Sequence, residues 1–342
     1  MDERRLDDLG PPERSAEGHV FKGILWGALS GWLIVFVPYL IVLTLKWQGL
    51  SRLWQGLPLD ISQWVYVYNA SLLLVMPLIQ GGFGGLMRGR EKQSVGSGFL
   101  VIAVITVIDI GVAAIFMREG AICVLMASPL LVAIIAIGYG TGRGLARIRR
   151  SRVMSMSLMP LAVLGVVGET TGPAPDYPAT VTDAVTVNAP PEYVWRYIVD
   201  YPDNPNPPDY WLWQMGLPAP THSVAPVQVV GARRDCKFTG NQAFEEKIAV
   251  LEPNKKLVFD IIRQPDHPEI IGHISVDRGE MTLNRNADGT TTIVATSYYR
   301  LHVRPAPYFA WWAEDVTRHI HFRVMGYMKT LAERDYQVDS GK

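Results

Sequence analysis

Arg234 and Glu246 are the two side chains whose type and spacing most invite a chemical reading. Both lie in the segment 229–250, VVGARRDCKFTGNQAFEEKIAV. In an extended chain alternate residues share a face. That sets Arg234 among Val230, Ala232, Cys236 and Phe238, and Glu246 among Phe244, Ile248 and Val250. Thr239-Gly240-Asn241 makes an odd-length loop with turn-forming residues. The spacing therefore predicts a β-hairpin in which Arg234 faces Glu246 and Cys236 faces Phe244. Such a pair is either a structural ion pair or a polar anchor within a ligand cavity. Arg234 and Glu246, with Tyr299 and His321, also have the side chains that acid–base chemistry would need.

Other chemistries find less support. Cys236 falls on an apolar strand face, where burial raises a thiol's pKa and quiets it. Cys123 belongs to a different apolar run, so no disulfide is expected between the two cysteines. His319 and His321 are two apart on a helix and diverge, which argues against a shared metal. No Ser/His/Asp set has a recognisable spacing, and no catalytic residue is assigned. No cofactor is expected. With 32 basic and 32 acidic residues the net charge is zero, which gives no reason to expect nucleic acid as a partner.

The elements that position these residues come in two kinds. Charged residues make up only 19% of the 342 residues, below the usual quarter, and the deficit is concentrated before about residue 168. Apolar runs at 20–45, 65–87, 95–117 and 120–142 each reach the roughly 20 residues a bilayer requires. A fifth, 153–168, is shorter and reads as a span extended by uncharged neighbours. Twelve basic residues flank one side of these runs, among them Arg88, Arg143 and Arg150, against three on the other side, Lys46, Arg52 and Arg118. The excess of Lys and Arg marks the cytoplasmic side. The N-terminus is thus expected in the cytoplasm, and the C-terminal domain periplasmic or extracellular; a fifth run that only lay on the surface would leave that domain cytoplasmic instead. Glycines 81, 82, 84 and 85, and 138, 140, 142 and 144, read as close helix contacts. Asp109, mid-run in the third span, is a functional candidate by default, although a structural hydrogen bond serves as well.

Beyond the Pro/Gly-rich stretch 170–178 the periodicity changes. Strands are expected over 181–187, 223–229, 230–238, 242–252, 255–263, 272–283 and 291–303, with a helix over 190–199. A long helix is expected over 308–334, its apolar stripe running through Phe309, Trp312, Val316, Ile320, Val324, Tyr327 and Leu331. The class is α+β. A bundle of about five transmembrane helices precedes a curved antiparallel sheet that grips one long helix. The expected division is a cytoplasmic tail (1–19), a membrane domain (20–169), a linker (170–178), a sheet-and-helix domain (179–336) and a short tail (337–342).

The order and motifs of the second half resemble the START-like superfamily, also called the polyketide cyclase/dehydrase and lipid transport group, whose fold is a helix grip. TVNAPPEYVWRYIVD is similar to its first strand and helix. PPDYWLWQMGLP, RRDCKFTGNQAFEEKI, DRGEMTL, TSYYRL and HFRVMGYMKTLAE resemble a membrane-anchored bacterial branch. Arg234, Cys236, Phe238, Phe244, Glu246 and Ile248 match its hairpin motif, and His321 and Arg323 its terminal-helix motif. The chain departs from that branch at Arg318, where it has histidine, and at Tyr298, where it has tryptophan.

The match covers about 180–333; taken with the apolar runs before it, the resemblance implies a multi-pass inner-membrane protein whose outer domain binds a hydrophobic ligand: a lipid, an isoprenoid or a quinone. It implies binding or transfer without covalent chemistry. A cyclase- or dehydratase-type enzyme, and a structural or sensory membrane module, are the alternatives. The ligand cavity is expected to be lined by Arg234, Cys236, Phe238, Phe244, Glu246, Tyr299, Trp312, Val316, Ile320 and His321. Trp211 and Trp213, in the proline-flanked segment 209–216, are the expected gate.

Overall fold

The computed structural model describes residues 18–33, 71–88, 94–116, 120–147 and 175–341. The chain divides into two compact units, residues 1–174 and 175–342.

In the first unit residues 18–33 form helix α1. A π-helical turn, Ser71–Val75, leads into α2, Met76–Met87. Helices α3, Val95–Phe116, and α4, Ala121–Arg147, follow. Among the described residues two helices are long and apolar enough to cross a membrane, Val95–Ala113 and Ala121–Arg147. The expected count of about five spans is corrected accordingly. The shorter apolar helix at Leu73–Met87 belongs to the second expected run, whose residues 65–70 lie outside the described residues. The first expected run is described only to residue 33, and the fifth lies outside the described residues.

Glycine decides how α2 and α4 meet. A Cβ added at Gly81 or Gly85 would run into the carbonyl oxygens of Ile135 and Tyr139. One at Gly138 or Gly142 would meet those of Leu78 and Gly82. The two backbones touch along a pair of four-residue repeats, an approach only small residues permit. Pro129 sits inside α4, and the Leu125 carbonyl it leaves free accepts a hydrogen bond from the Ser128 hydroxyl at 2.8 Å. Buried Gln80 donates to buried Asp109 at 2.9 Å. Arg88 is also buried. It donates to the Ser97 backbone carbonyl and, at 2.6 Å, to the Ser97 hydroxyl, tying the end of α2 to the start of α3.

The second unit is α+β. β1 is Tyr177–Val187, α5 Pro191–Trp195 and α6 Trp211–Gln214. The remaining strands are β2 Pro220–Val224, β3 Arg233–Phe238, β4 Gln242–Glu252, β5 Lys256–Arg263, β6 Ile274–Arg285 and β7 Thr291–Leu301. All are antiparallel in one seven-stranded sheet of order β1-β7-β6-β5-β4-β3-β2. Register shifts at Glu245/Glu246, Ile248/Val250 and Val276/Arg278 interrupt the ladders. Bulges of this kind bend a strand and sharpen its twist, and the sheet is curled into a half-barrel.

The concave side is filled by α7, Ala306–Ser340, 35 residues ending on Gly341 in the left-handed conformation. Its Val324, Met325, Met328, Leu331 and Ala332 pack with Val187, Ile248, Leu257 and Ile293 in one core. Three expected elements are shorter than the spacing suggested. The helix at 190–199 ends at Trp195. The strands at 223–229 and 230–238 shrink to Pro220–Val224 and Arg233–Phe238. Pro226 between them has no N–H to donate to a ladder, and Gly231 turns the chain at φ 88°.

Candidate functional site

The curled sheet leaves space beneath α7. A cavity of about 130 Å³ is lined from β3 to β7 and by the helix. Most of its wall is hydrocarbon: Phe238, Phe244, Phe259, Ile261, Val276, Met281, Ile320 and Val324 are among the lining residues. Two polar clusters stand out in it, one centred on β3 and one on β7, and Arg278, Glu280, Thr296 and Thr317 also border it.

The first is the hairpin pair. β3 and β4 pair with Arg234 opposite Glu246 and Cys236 opposite Phe244, around a loop in which Gly240 and Asn241 both have positive φ. This is the register that the odd loop requires. Arg234 is 1% exposed and Glu246 3%, and the guanidinium Nη1 donates to the carboxylate. Arg234 Nε donates to the Val199 carbonyl at 2.6 Å. Its guanidinium also lies over the Phe259 ring, 4.9 Å from the centroid. Burial opposes the charge on Arg234, but the Glu246 carboxylate, Cys236 and Tyr201 around it together outweigh this and hold its pKa above the ordinary value. Buried Tyr201 completes the cluster. Its hydroxyl has no oxygen or nitrogen partner among the described residues and lies beside the Cys236 sulfur. Burial and the nearby Glu246 push the Cys236 thiol up to about 12, so it carries almost no thiolate at neutral pH.

The second group was not anticipated from sequence. The imidazole of His321, on α7, lies between two strands. Its Nδ1 is 2.8 Å from Asp183 Oδ2 on β1, and its Nε2 is 2.8 Å from Ser297 Oγ on β7. Asp183 and His321 are both buried. Arg318, one turn back on the helix, is 3.9 Å from the other Asp183 oxygen and is held at 2.7 Å by Glu314. Burial lowers the pKa of His321 below its ordinary value, against the pull of Asp183. Tyr299, two residues from Ser297 on the same strand, is lifted to about 12 by burial and by Glu314. Ser297, His321 and Tyr299 line the cavity, while Asp183 stands behind His321 and does not.

Of the residues singled out from sequence, Arg234, Cys236, Phe238, Phe244, Glu246, Tyr299, Ile320 and His321 are brought together around this space. Trp312 and Val316 are not among its lining residues. The helix turns Thr317, Ile320, His321 and Val324 toward it instead, a face with the three- and four-residue spacing of a helix. The two gate tryptophans also stand apart from the cavity wall. Trp211 is 44% exposed. Trp213 is buried against Tyr210 and His319, with Arg323 over its ring. The segment is pinned by a hydrogen bond from the Tyr210 hydroxyl to Asp315 at 2.5 Å and by Tyr210 stacked on His319 at 3.8 Å. That stacking takes His319 to a different flank of α7 from His321. Among the described residues no group of three or more His, Cys, Asp or Glu side chains could hold a metal ion.

Asp183 and Ser297 are what sequence reasoning missed. Asp183 carried the same signal as Arg234, a charge on a face otherwise made of Val181, Val185 and Val187. Ser297 carried none, since serine is unexceptional in a strand.

No protein-family model matches the chain, and no curated protein matches it. Solved structures similar to about half of the chain include a protein from Nitrosospira multiformis (18% identity, 48% of this chain and 100% of that one, TM-score 0.30). Truncated norcoclaurine synthase from Thalictrum flavum matches at 10% identity over 46% of this chain and 94% of its own, TM-score 0.31. The protein XoxI from Bacillus cereus matches at 12% identity over 44% and 94%, TM-score 0.31. Likeness at this level says nothing about ligand or activity.

Proposed function

We propose that the sheet-and-helix unit binds a small apolar molecule carrying one hydrogen-bonding group, and that the first unit anchors it to a bacterial inner membrane. The observation that carries the binding reading is the hydrocarbon-lined cavity with a fully desolvated Arg234–Glu246 pair and the Tyr201 hydroxyl at one side. Apolar walls with a few convergent polar groups are the usual make-up of a small-molecule site. The resemblance of the hairpin and terminal-helix motifs to START-like domains points the same way.

Volume narrows the ligand. A cavity of about 130 Å³ is close to the roughly 150 Å³ that accommodates benzene, and below the roughly 300–1,000 Å³ of drug-sized sites. One ring or one short chain fits. A quinone head or a single isoprenoid unit is therefore favoured over a two-chain phospholipid.

Indole is a suitable probe, with an aromatic body and one N–H. Native mass spectrometry of the full chain released from detergent should show one retained indole per chain. Ala295→Phe, which fills the cavity from β7, should abolish it. Retention unchanged in Ala295→Phe would place binding elsewhere.

The membrane reading rests on the two long apolar helices, the glycine contacts and the twelve-to-three distribution of basic residues. A reporter fused after Lys342 is expected to be active only outside the cytoplasm, and one fused after Arg150 only inside. Cytoplasmic activity at the C-terminus would overturn this placement of the sheet-and-helix unit.

A further inference from the structure

Ser297, His321 and Asp183 form a continuous hydrogen-bonded array with one end on the cavity. An ionised carboxylate only accepts. With Asp183 against Nδ1, His321 carries its proton on that nitrogen and presents the lone pair of Nε2 to the Ser297 hydroxyl. Ser297 then donates to His321 at 2.8 Å, and His321 donates to Asp183 at 2.8 Å. This is the order of roles in which an imidazole acts as base toward a serine and a buried carboxylate fixes its tautomer. Burial, which lowers the His321 pKa, keeps the ring neutral and able to accept a proton near pH 7.

The placement adds to the geometry. A tether holding α7 to the sheet needs one donor and one acceptor, and neither has to reach the cavity. Here Ser297 and His321 both border it, and the carboxylate is withdrawn behind them. Their neighbours on that wall include Ala295, Ile320 and Val324 beside Thr296, Thr317 and Tyr299, and a serine and a histidine facing the cavity cost more there than hydrocarbon would.

We propose that Ser297 is a nucleophile activated by His321, that Asp183 is its positioning residue, and that the cavity takes carboxylic esters with a small, ring-sized apolar acyl group. Ser297 Oγ bonds to the ester carbonyl carbon as its proton passes to His321 Nε2. The bond from that carbon to the alcohol oxygen breaks, and the alcohol leaves with the proton. Water then gives a proton to His321 and attacks the acyl-serine. The carboxylic acid departs and the proton returns to Ser297. The sum is ester plus water giving acid plus alcohol, with no oxidant or reductant. The proposal rests on the cavity reading above but goes beyond binding.

The test uses the full chain in detergent and diisopropyl fluorophosphate. Ser297 would displace fluoride at phosphorus and retain one diisopropylphosphoryl group, located by peptide mass spectrometry. Ser297→Ala should remove the adduct. His321→Gln should slow its formation on the order of a hundredfold, as loss of a general base does, and Asp183→Asn should slow it less. Indole retention by the unmodified chain is measured alongside. An adduct on Ser297 that depends on His321 supports the proposal. Indole binding with no adduct, or an adduct indifferent to His321→Gln, overturns the nucleophile and leaves the binding reading standing. Absence of both overturns the two together.

Discussion

Arg234 and Glu246 face each other across β3 and β4 as a buried ion pair, and the guanidinium spends a second hydrogen bond on the Val199 carbonyl. Removing one partner of such a pair strands the other charge, at about 3–5 kcal/mol. Arg234→Met or Glu246→Gln alone should show that loss in chemical denaturation. Arg234→Met with Glu246→Leu should recover much of it, because neither charge is then left buried. Two single variants within about half a kcal/mol of the parent would indicate a solvated pair.

The His321 array predicts a pH dependence of stability. The pKa of His321 lies below its ordinary 6.5 in the folded protein, so between those values the unfolded chain holds more protons. Stability then rises with pH through that window. The contribution is complete above about pH 6.5 and is lost as the pH falls toward the folded value. The charged groups facing the ring are Asp183 and, beyond it, Arg318. Denaturation midpoints measured from pH 7.5 down to 5 should fall more for the parent than for His321→Gln. Parallel curves would remove His321 from the account.

The Cys236 thiol should resist alkylation. With its pKa pushed up to about 12 against about 8.5 for a free cysteine, the thiolate fraction at pH 7.5 falls on the order of a thousandfold. Maleimide labelling followed by peptide mapping should show Cys236 modified only after denaturant is added. Rapid labelling of the folded protein would mean that the hairpin opens.

Along the α2–α4 contact, Gly142→Ala should be more damaging than Gly140→Ala. A methyl at 142 meets the Gly82 backbone, whereas one at 140 meets nothing within 4 Å. Overpacking of a tight contact costs about 1–3 kcal/mol, while Ala in place of Gly otherwise favours a helix. Thermal aggregation of the detergent-solubilised chain should therefore move in opposite directions for the two variants.

The fold of the second unit was largely legible because local rules agreed. Alternation marked the strands, the odd loop set the hairpin register, and the spacing of Ile320, Val324, Tyr327 and Leu331 marked the long helix. The hairpin pair was legible for the same reason, since its members lie only 12 positions apart. The second polar group was not. Asp183 is 138 positions from His321, and Ser297 is 24 positions away on another element. Their meeting depends on β1 returning to pair with β7 at the far side of the sheet, which no local pattern encodes. Helix rotation was likewise beyond sequence: the apolar stripe included Trp312 and Val316, but the cavity receives only residues from Thr317 onward.

The sheet is not closed, and β1 forms one of its edges, hydrogen-bonded on a single side to β7. It is also the strand by which the unit joins the preceding chain. Tension along that chain would load Tyr177 first and peel the strand from Leu301 inward, breaking pairs in sequence rather than together. Six residue pairs separate the pulled end from the Asp183–Ala295 pair. Once those pairs had parted, the carboxylate would be withdrawn from His321 while β3 to β6, and the Arg234–Glu246 pair within them, stay in place. The same edge that admits the chain is a point at which force could be read as a change in the chemistry of one imidazole.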